Sequence, residues 1–298
     1  MMNTLLDFVE FSLSGLAVGG IYALTAVGFV IVYKATRIIN FAIGELMMLG
    51  AYMFFGLATQ ATLPMWAAVL LALLATGVAG AFLERTIFRP LIGENPISVF
   101  MVTIGLASII IGIVEIVWTA DPRSLPAFLP DKPFFVPLGF GEAFVSSKIG
   151  WGFIISAIAV ALIVGVFRFW RGGVALRATA ADGQAAYTVG INVPGVFSFA
   201  WVFGAITAAG AGILVGSFAG ISSAMGAIGL SVLVVVIVGG LDSIGGALVG
   251  GLLVGWLESM ASWQMGAEYK QIATFVVLML MLLVKPYGLF GTHEIERL

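Results

Sequence analysis

The feature that most constrains this chain is a series of apolar runs, each about 20 residues long, joined by short polar links. A run of that length crosses the hydrocarbon core of a bilayer as a helix, the open structure that satisfies its own backbone hydrogen bonds away from water. The runs predict spans at Phe11–Tyr33, Ile39–Leu57, Met65–Phe88, Ile97–Thr119, Ile149–Trp170, Gly195–Gly220, Gly226–Gly239, Ile244–Trp263 and Gln271–Leu289. The expected fold is an all-α polytopic transmembrane bundle of about 8–10 spans, a single domain over residues 1–298. Gly226–Gly239 is short for a crossing and equally suits a re-entrant segment.

Composition closes off the alternatives. Only 9% of the residues are charged, whereas a soluble domain uses about 25% to face water. A net charge of −2 gives no basic footprint, so no nucleic-acid partner is expected. Cysteine is absent, which removes disulfides and thiolate metal sites, and the one histidine, His293, lies in a tail where it is expected to be solvated. The first residues, MMNTLLDFVEF, carry Asp7 and Glu10 and no Lys or Arg. A cleaved signal peptide has a basic leader, so the first run is expected to stay as a span.

Lys and Arg set the expected orientation. Lys34, Arg37, Arg85, Arg89, Arg168, Arg171 and Arg177 fall on one side, joined by Lys285 and Arg297 if the spans number nine, and Arg123, Lys132, Lys148 and Lys270 on the other. The richer side is assigned to the cytoplasm. An external loop at about 120–148 then holds Pro122, Pro126, Pro130, Pro133 and Pro137, either as a compact connection or as a docking surface for an external partner. Glycines at every fourth position (Gly212, Gly216 and Gly220; Gly246 and Gly250; Gly251 and Gly255) predict close helix packing. The segments SGLAVGGIYAL and GALVGGLLVGWL are loosely alike.

Chemistry is sparse. There is no P-loop, no H-E-x-x-H and no histidine to serve a nucleophile, so an enzyme is not expected, and no cofactor is expected on this chain. Charges within spans are rare: Glu45, Glu115 and Glu258, with Glu84 at a span end. An acid inside a bilayer is a functional candidate by default. Glu115 and Glu258 lie near outer span ends where snorkelling is open to them. Glu45 is deeper, about 9 Å into its run by helical rise. It reads either as a structural group, paired with Lys34 or Arg37 or bonded to a neighbouring helix, or as part of a translocation route with Asn40 and Gly44. Between the fifth and sixth runs, residues 168–194 form an Ala-rich link, RFWRGGVALRATAADGQAAYTVGINVP, which predicts one or two short surface helices.

This link resembles the cytoplasmic coupling loop of ABC importer permeases, with Ala185-Ala186 followed by Gly190 and preceded by Arg177-Ala178, Ala181 and Asp182. The chain as a whole resembles the branched-chain amino-acid permease family, LivH type. The likeness is carried by GLAVGGIYALTAVGFVIVY, RIINFAIGELMMLGAY, ERTIFRPL, VGGLDSIGGALVGG and KPYGLFG, in the family's order from residue 15 to residue 291. Gln184 stands where the wider importer signature has an acid, and Lys285 where the family has Arg. The resemblance implies a subunit working with a second related permease, two ATPase subunits that hold ATP and Mg, and a periplasmic substrate-binding protein. Urea, short amides or carboxylates are alternative cargoes to branched-chain amino acids. A stand-alone channel is the alternative from another class.

Overall fold

The computed structural model describes residues 2–137 and 141–291; His293 and Arg297 lie outside the described residues. The helices are α1 (Met2–Thr36), α2 (Ile43–Phe55), α3 (Met65–Leu83), α4 (Pro96–Trp118), α5 (Ser147–Phe169), α6 (Arg171–Ala181), α7 (Gly183–Thr188), α8 (Val193–Ala219), α9 (Ile228–Gly239), α10 (Ile244–Met265) and α11 (Lys270–Val284). Among the described residues, seven helices are long and apolar enough to cross a membrane. The other two expected spans are shorter. α2 has 13 residues and runs on into a π-helical turn over Gly56–Gln60, and α9 follows a 3₁₀ turn over Ser223–Ala227.

Starts and stops follow local chemistry. Asn95, Asp182, Asn192 and Ser243 cap α4, α7, α8 and α10 by accepting from backbone N–H groups that a first helical turn leaves unpaired. Pro96 and Pro194 then sit in the first turn, where a missing N–H costs nothing. α1 stops just before Arg37, which takes a left-handed backbone (φ 58°). Residues 37–42 therefore form a break, and the run expected from Ile39 starts its helix at Ile43. The last span is also shorter than expected. Proline at 286 disfavours helix in the residue before it, and Leu289 and Phe290 donate instead to the carbonyls of Val238 and Gly239 at the end of α9.

α1 is the axis of the bundle, with 89% of its most apolar window buried against 6% for the last span. It lies antiparallel to α10. Gly15 and Gly19 of α1 face Gly251 and Gly255 of α10 at main-chain contact, so a side chain at any of the four would strike backbone. The two loosely similar segments of the sequence are thus packing partners of each other. α10 uses a second glycine face, Gly246 and Gly250, against Val235 and Gly239 of α9. In α8, Gly212 meets the Met47 main chain of α2, while Gly204 receives Val32 of α1. Without a hydrophobic drive between helices in lipid, such close contact supplies the van der Waals attraction that holds the bundle.

The proline-rich link contains an element that the sequence reading did not include. β1 (Phe134–Pro137) and β2 (Glu142–Val145) pair antiparallel, with Phe134 opposite Val145. This hairpin closes one end of the bundle: Glu10 of α1 accepts from the Phe144 N–H at 2.8 Å, and the Ser147 hydroxyl donates to the Pro130 carbonyl. Nearby, Arg123 pairs its backbone with Ile221 and donates to the Trp118 carbonyl at 2.8 Å.

Candidate functional site

The Ala-rich link folds as α6 and α7. Gly173, Leu176 and Thr179, spaced by three, bury one face of α6, and Arg177 donates from its Nη1 to the Phe167 carbonyl at the end of α5. Asp182 accepts from the N–H groups of Gln184 and Ala185, each at 2.9 Å. Ala186 is buried, its N–H bonded to the Asp182 carbonyl and its own carbonyl accepting from Ile191. Gly190, at φ +87°, makes the left-handed turn that leads into α8. Ala181 and Ala185 are exposed, and Ala178 is half-buried.

Several of these candidate coupling residues therefore build the link: Arg177 ties it down, Asp182 caps it, and Ala186 and Gly190 fit it to α8. The exposed bulk belongs to residues the sequence reading passed over. Tyr187 is 70% exposed and Val189 76%, both just after buried Ala186. Both are large apolar residues in a stretch of small and polar ones, a signal present in the sequence but overshadowed by the alanines. Lys34, Arg37, Arg177 and Ala181 line one cavity with Ala180 and Asp242, which puts the link at the C-terminal end of α1.

The second candidate group, Asn40, Gly44 and Glu45, is brought together at the break between α1 and α2. Asn40 is buried, and its Oδ1 accepts from the Ala42 N–H at 3.0 Å. Gly44 packs against the Gly226 carbonyl and Gly229, where α9 and its leading 3₁₀ turn begin. Glu45, 9% exposed, lies in the first turn of α2, beside Gly226. Amide dipoles at a helix N-terminus favour an acid there. Its Oε2 has no hydrogen-bond partner among the described residues, although it is fully buried.

The other acids differ from expectation. Glu258 does not snorkel: it is 1% exposed. Ser231 of α9 and Thr274 of α11 donate to its Oε1, each at 2.7 Å. Tyr22 of α1 donates to Oε2 at 3.1 Å, and the Lys270 ammonium lies 3.0 Å from the same oxygen. Four helices thus meet at one carboxylate. Distance to a span end describes one helix and says nothing of which neighbours face it. Glu84, placed by sequence among the span-end charges, is wholly buried. Arg89 holds it through two bonds of 2.8 Å, and the Ser198 hydroxyl donates to it at 2.7 Å. That clamp fastens the end of α3 to α8 and gives the ERTIFRPL stretch a structural reason.

Comparison with known proteins places this geometry. The model of the family described as "Branched-chain amino acid transport system / permease component" matches residues 11–284. The chain is 31% identical, over all of both proteins, to the high-affinity branched-chain amino acid transport system permease protein LivH of Escherichia coli (strain K12). It is also 31% identical to BraD, the corresponding protein of Pseudomonas aeruginosa, over 99% of this chain and 100% of that one. A probable LivH of Methanocaldococcus jannaschii is 27% identical over 90% of this chain and 88% of that one. Among solved structures, the fold is similar to PsaBC from Streptococcus pneumoniae in complex with Fab, with a TM-score of 0.52, 13% identity, and 95% and 94% of the two chains covered. At that identity the likeness is one of fold alone. A bundle with seven helices long and apolar enough to cross a membrane among the described residues, and a family match over residues 11–284, leave one conclusion: the chain is a multi-pass membrane permease, non-catalytic in itself, and belongs to the family of permease components of branched-chain amino acid ABC transport systems.

Proposed function

We propose that this permease supplies the membrane pathway of an ATP-driven importer for branched-chain amino acids or related small polar solutes. Two ATPase subunits dock on α6 and α7 from the cytoplasm, a second related permease completes the pathway, and a periplasmic binding protein delivers cargo at the hairpin end. ATP binding and hydrolysis on the partner chains drive alternating access. The observation that carries this reading is the surface of α7. Two exposed apolar side chains, Tyr187 on α7 and Val189 just after it, project from a short helix that is capped by Asp182 and seated through Ala186. Bulky apolar side chains that project from the end of a short, anchored helix are what a groove on a partner recognises.

In this reading Ala181, Gln184 and Ala185 border the contact, Tyr187 and Val189 enter the groove, and Arg177, Ala178, Asp182, Ala186 and Gly190 hold the shape. Buried aromatic anchors in protein interfaces are worth about 2 kcal/mol or more, roughly thirty-fold in affinity. Changing Tyr187 and Val189 together to Ala should weaken ATPase binding by that order while the permease keeps its melting temperature. Undiminished binding and uptake in the reconstituted transporter would remove the support for this docking surface.

Asn40, Gly44 and Glu45 form part of the translocation route in the same reading. A buried acid with an unpartnered oxygen, between the starts of two short helices, matches the discontinuous-helix sites of transporters. Glu45→Gln should lower uptake while the complex still assembles. Full uptake by that variant would take Glu45 off the route.

A further inference from the structure

The end of the bundle that carries α6 holds a cavity of about 290 Å³ lined by Lys34, Arg37, Arg177, Ala180, Ala181 and Asp242. Neither Tyr187 nor Val189 lines it. Its residues come from one turn at the end of α1, one turn of α6 and a single position between α9 and α10. Three or four residues of helix rise about 5–6 Å, so the charged groups surround one compact space. The balance there is three cations to one acid. Cations in the last turn of a helix complement its dipole, which accounts for Lys34 and Arg37 on α1. It does not account for Arg177, brought to them from α6. Gathering a third positive charge is unfavourable unless an anion joins it, and Asp242 offsets only one of the three.

Two of the cations have donors to spare. Lys34 is half-buried, and its ammonium has no ion-pair or hydrogen-bond partner among the described residues. A guanidinium has five N–H donors, and Arg177 gives one to the Phe167 carbonyl. That bond fixes it at the end of α5, beside a surface of another kind. Phe169 is 84% exposed, and Trp170 and Val174 are exposed with it. Val174 lies one turn before Arg177 on α6, so this apolar surface runs up to the edge of the cavity. Arg168 lies over the Phe169 ring at 5.8 Å, and Arg171 follows. Aromatic and basic side chains at the end of a span mark the level where headgroups meet acyl chains.

We propose that this cavity holds the phosphate of an acidic phospholipid, whose acyl chains lie along Phe169, Trp170 and Val174. Lys34 and Arg177 bond the phosphate oxygens, and Arg37 adds its charge. Basic pockets between membrane helices take anionic headgroups in this way. A headgroup held by α1 and α6 together braces the Ala-rich link against the bundle. The site stands or falls independently of the cargo and of the ATPase docking surface.

The test is native mass spectrometry of the purified full-length permease in detergent, titrated with phosphatidylglycerol or phosphatidylcholine, with the melting temperature measured in parallel. Wild type should retain phosphatidylglycerol in preference to phosphatidylcholine, whose choline cancels the phosphate charge, and should melt higher with it. Loss of one charge-assisted bond in Lys34→Gln should weaken phosphatidylglycerol about tenfold. Lys34 ties down no other element, so this variant tests the site without loosening the link. Arg85→Gln removes an exposed cation beside the Glu84–Ser198 contact and outside the cavity, and should bind as wild type does. No preference between the two lipids, or equal weakening in the two variants, overturns the site. Inorganic phosphate is tested by its effect on the melting temperature. If it stabilises wild type as much as phosphatidylglycerol at equal concentration, and Lys34→Gln abolishes that effect, the ligand is a soluble phosphate and the lipid assignment is overturned.

Discussion

Single acids show how far residue-level reasoning reaches in a membrane chain. Sequence marks Glu45, Glu84, Glu115 and Glu258 as rare, and rarity alone singles out groups that need a physical explanation. It does not rank them, because the stabilising partners of Glu258 come from three other helices at positions Tyr22, Ser231, Thr274 and Lys270. Each partner is visible as a polar residue in or beside an apolar run, but their convergence is a property of the fold. Removing one side of a buried ion pair costs about 3–5 kcal/mol, and the half-exposed lysine reduces that to about 2–3 kcal/mol here. Glu258→Ala should accordingly lower the melting temperature of the detergent-purified chain. Glu115→Ala, which removes a half-buried acid outside the four-helix junction, should leave it nearly unchanged. Equal melting of the two variants would mean that the four-helix junction contributes nothing.

At the level of helices, what was legible depended on length and on glycine spacing. The seven long spans follow from apolar run length, and the glycine repeats of α10, with Gly212 of α8, name faces that touch another helix, whereas Gly216 and Gly220 meet the proline-rich link at Arg123 and Leu125. The two short elements were blurred because an apolar run continues through a break when the breaking residues are themselves apolar, as Ile38, Ile39 and Phe41 are. The hairpin was hidden for a different reason. Its strands have four residues each and are surrounded by proline, so no alternation long enough to recognise develops. Glycine positions supply the sharpest contrast. Gly251→Val must push against the main chain of Gly19 and the side chain of Ala23, an overpacking worth about 1–3 kcal/mol or more. Gly105 in α4 has open space around it, and Gly→Ala there should be neutral or gain up to about 1 kcal/mol of helix stability. Thermal unfolding of both variants reads the difference, and a destabilised Gly105 variant would mean that α4 is covered by something in the membrane.

The whole molecule has two ends with different equipment: α6 and α7 at one, the hairpin and the cavity beside it at the other. Ten prolines and one rare loop hinted at the ends, but only the fold shows that α1 connects them, bonded to β2 through Glu10 and touching α6 near its C-terminus. The absence of cysteine makes the arrangement directly testable. Val189→Cys and Phe144→Cys each place one exposed thiol on an otherwise thiol-free chain. A membrane-impermeant maleimide should label the two variants from opposite faces of sealed vesicles. Labelling from the same face would refute a bundle whose two ends lie across the membrane from each other.

The length of α1 has a mechanical consequence. Its 35 residues make a rod of about 50 Å, and its glycine-on-glycine crossing with α10 falls near Gly19, midway along the helix but closer to the Glu10 attachment than to Thr36. From that crossing to Glu10 is about 14 Å, and to Thr36 about 26 Å, by helical rise. Rocked about this fulcrum, the rod is a lever with unequal arms. A displacement applied beside α6 arrives at the hairpin reversed in direction and roughly halved, with its force correspondingly multiplied.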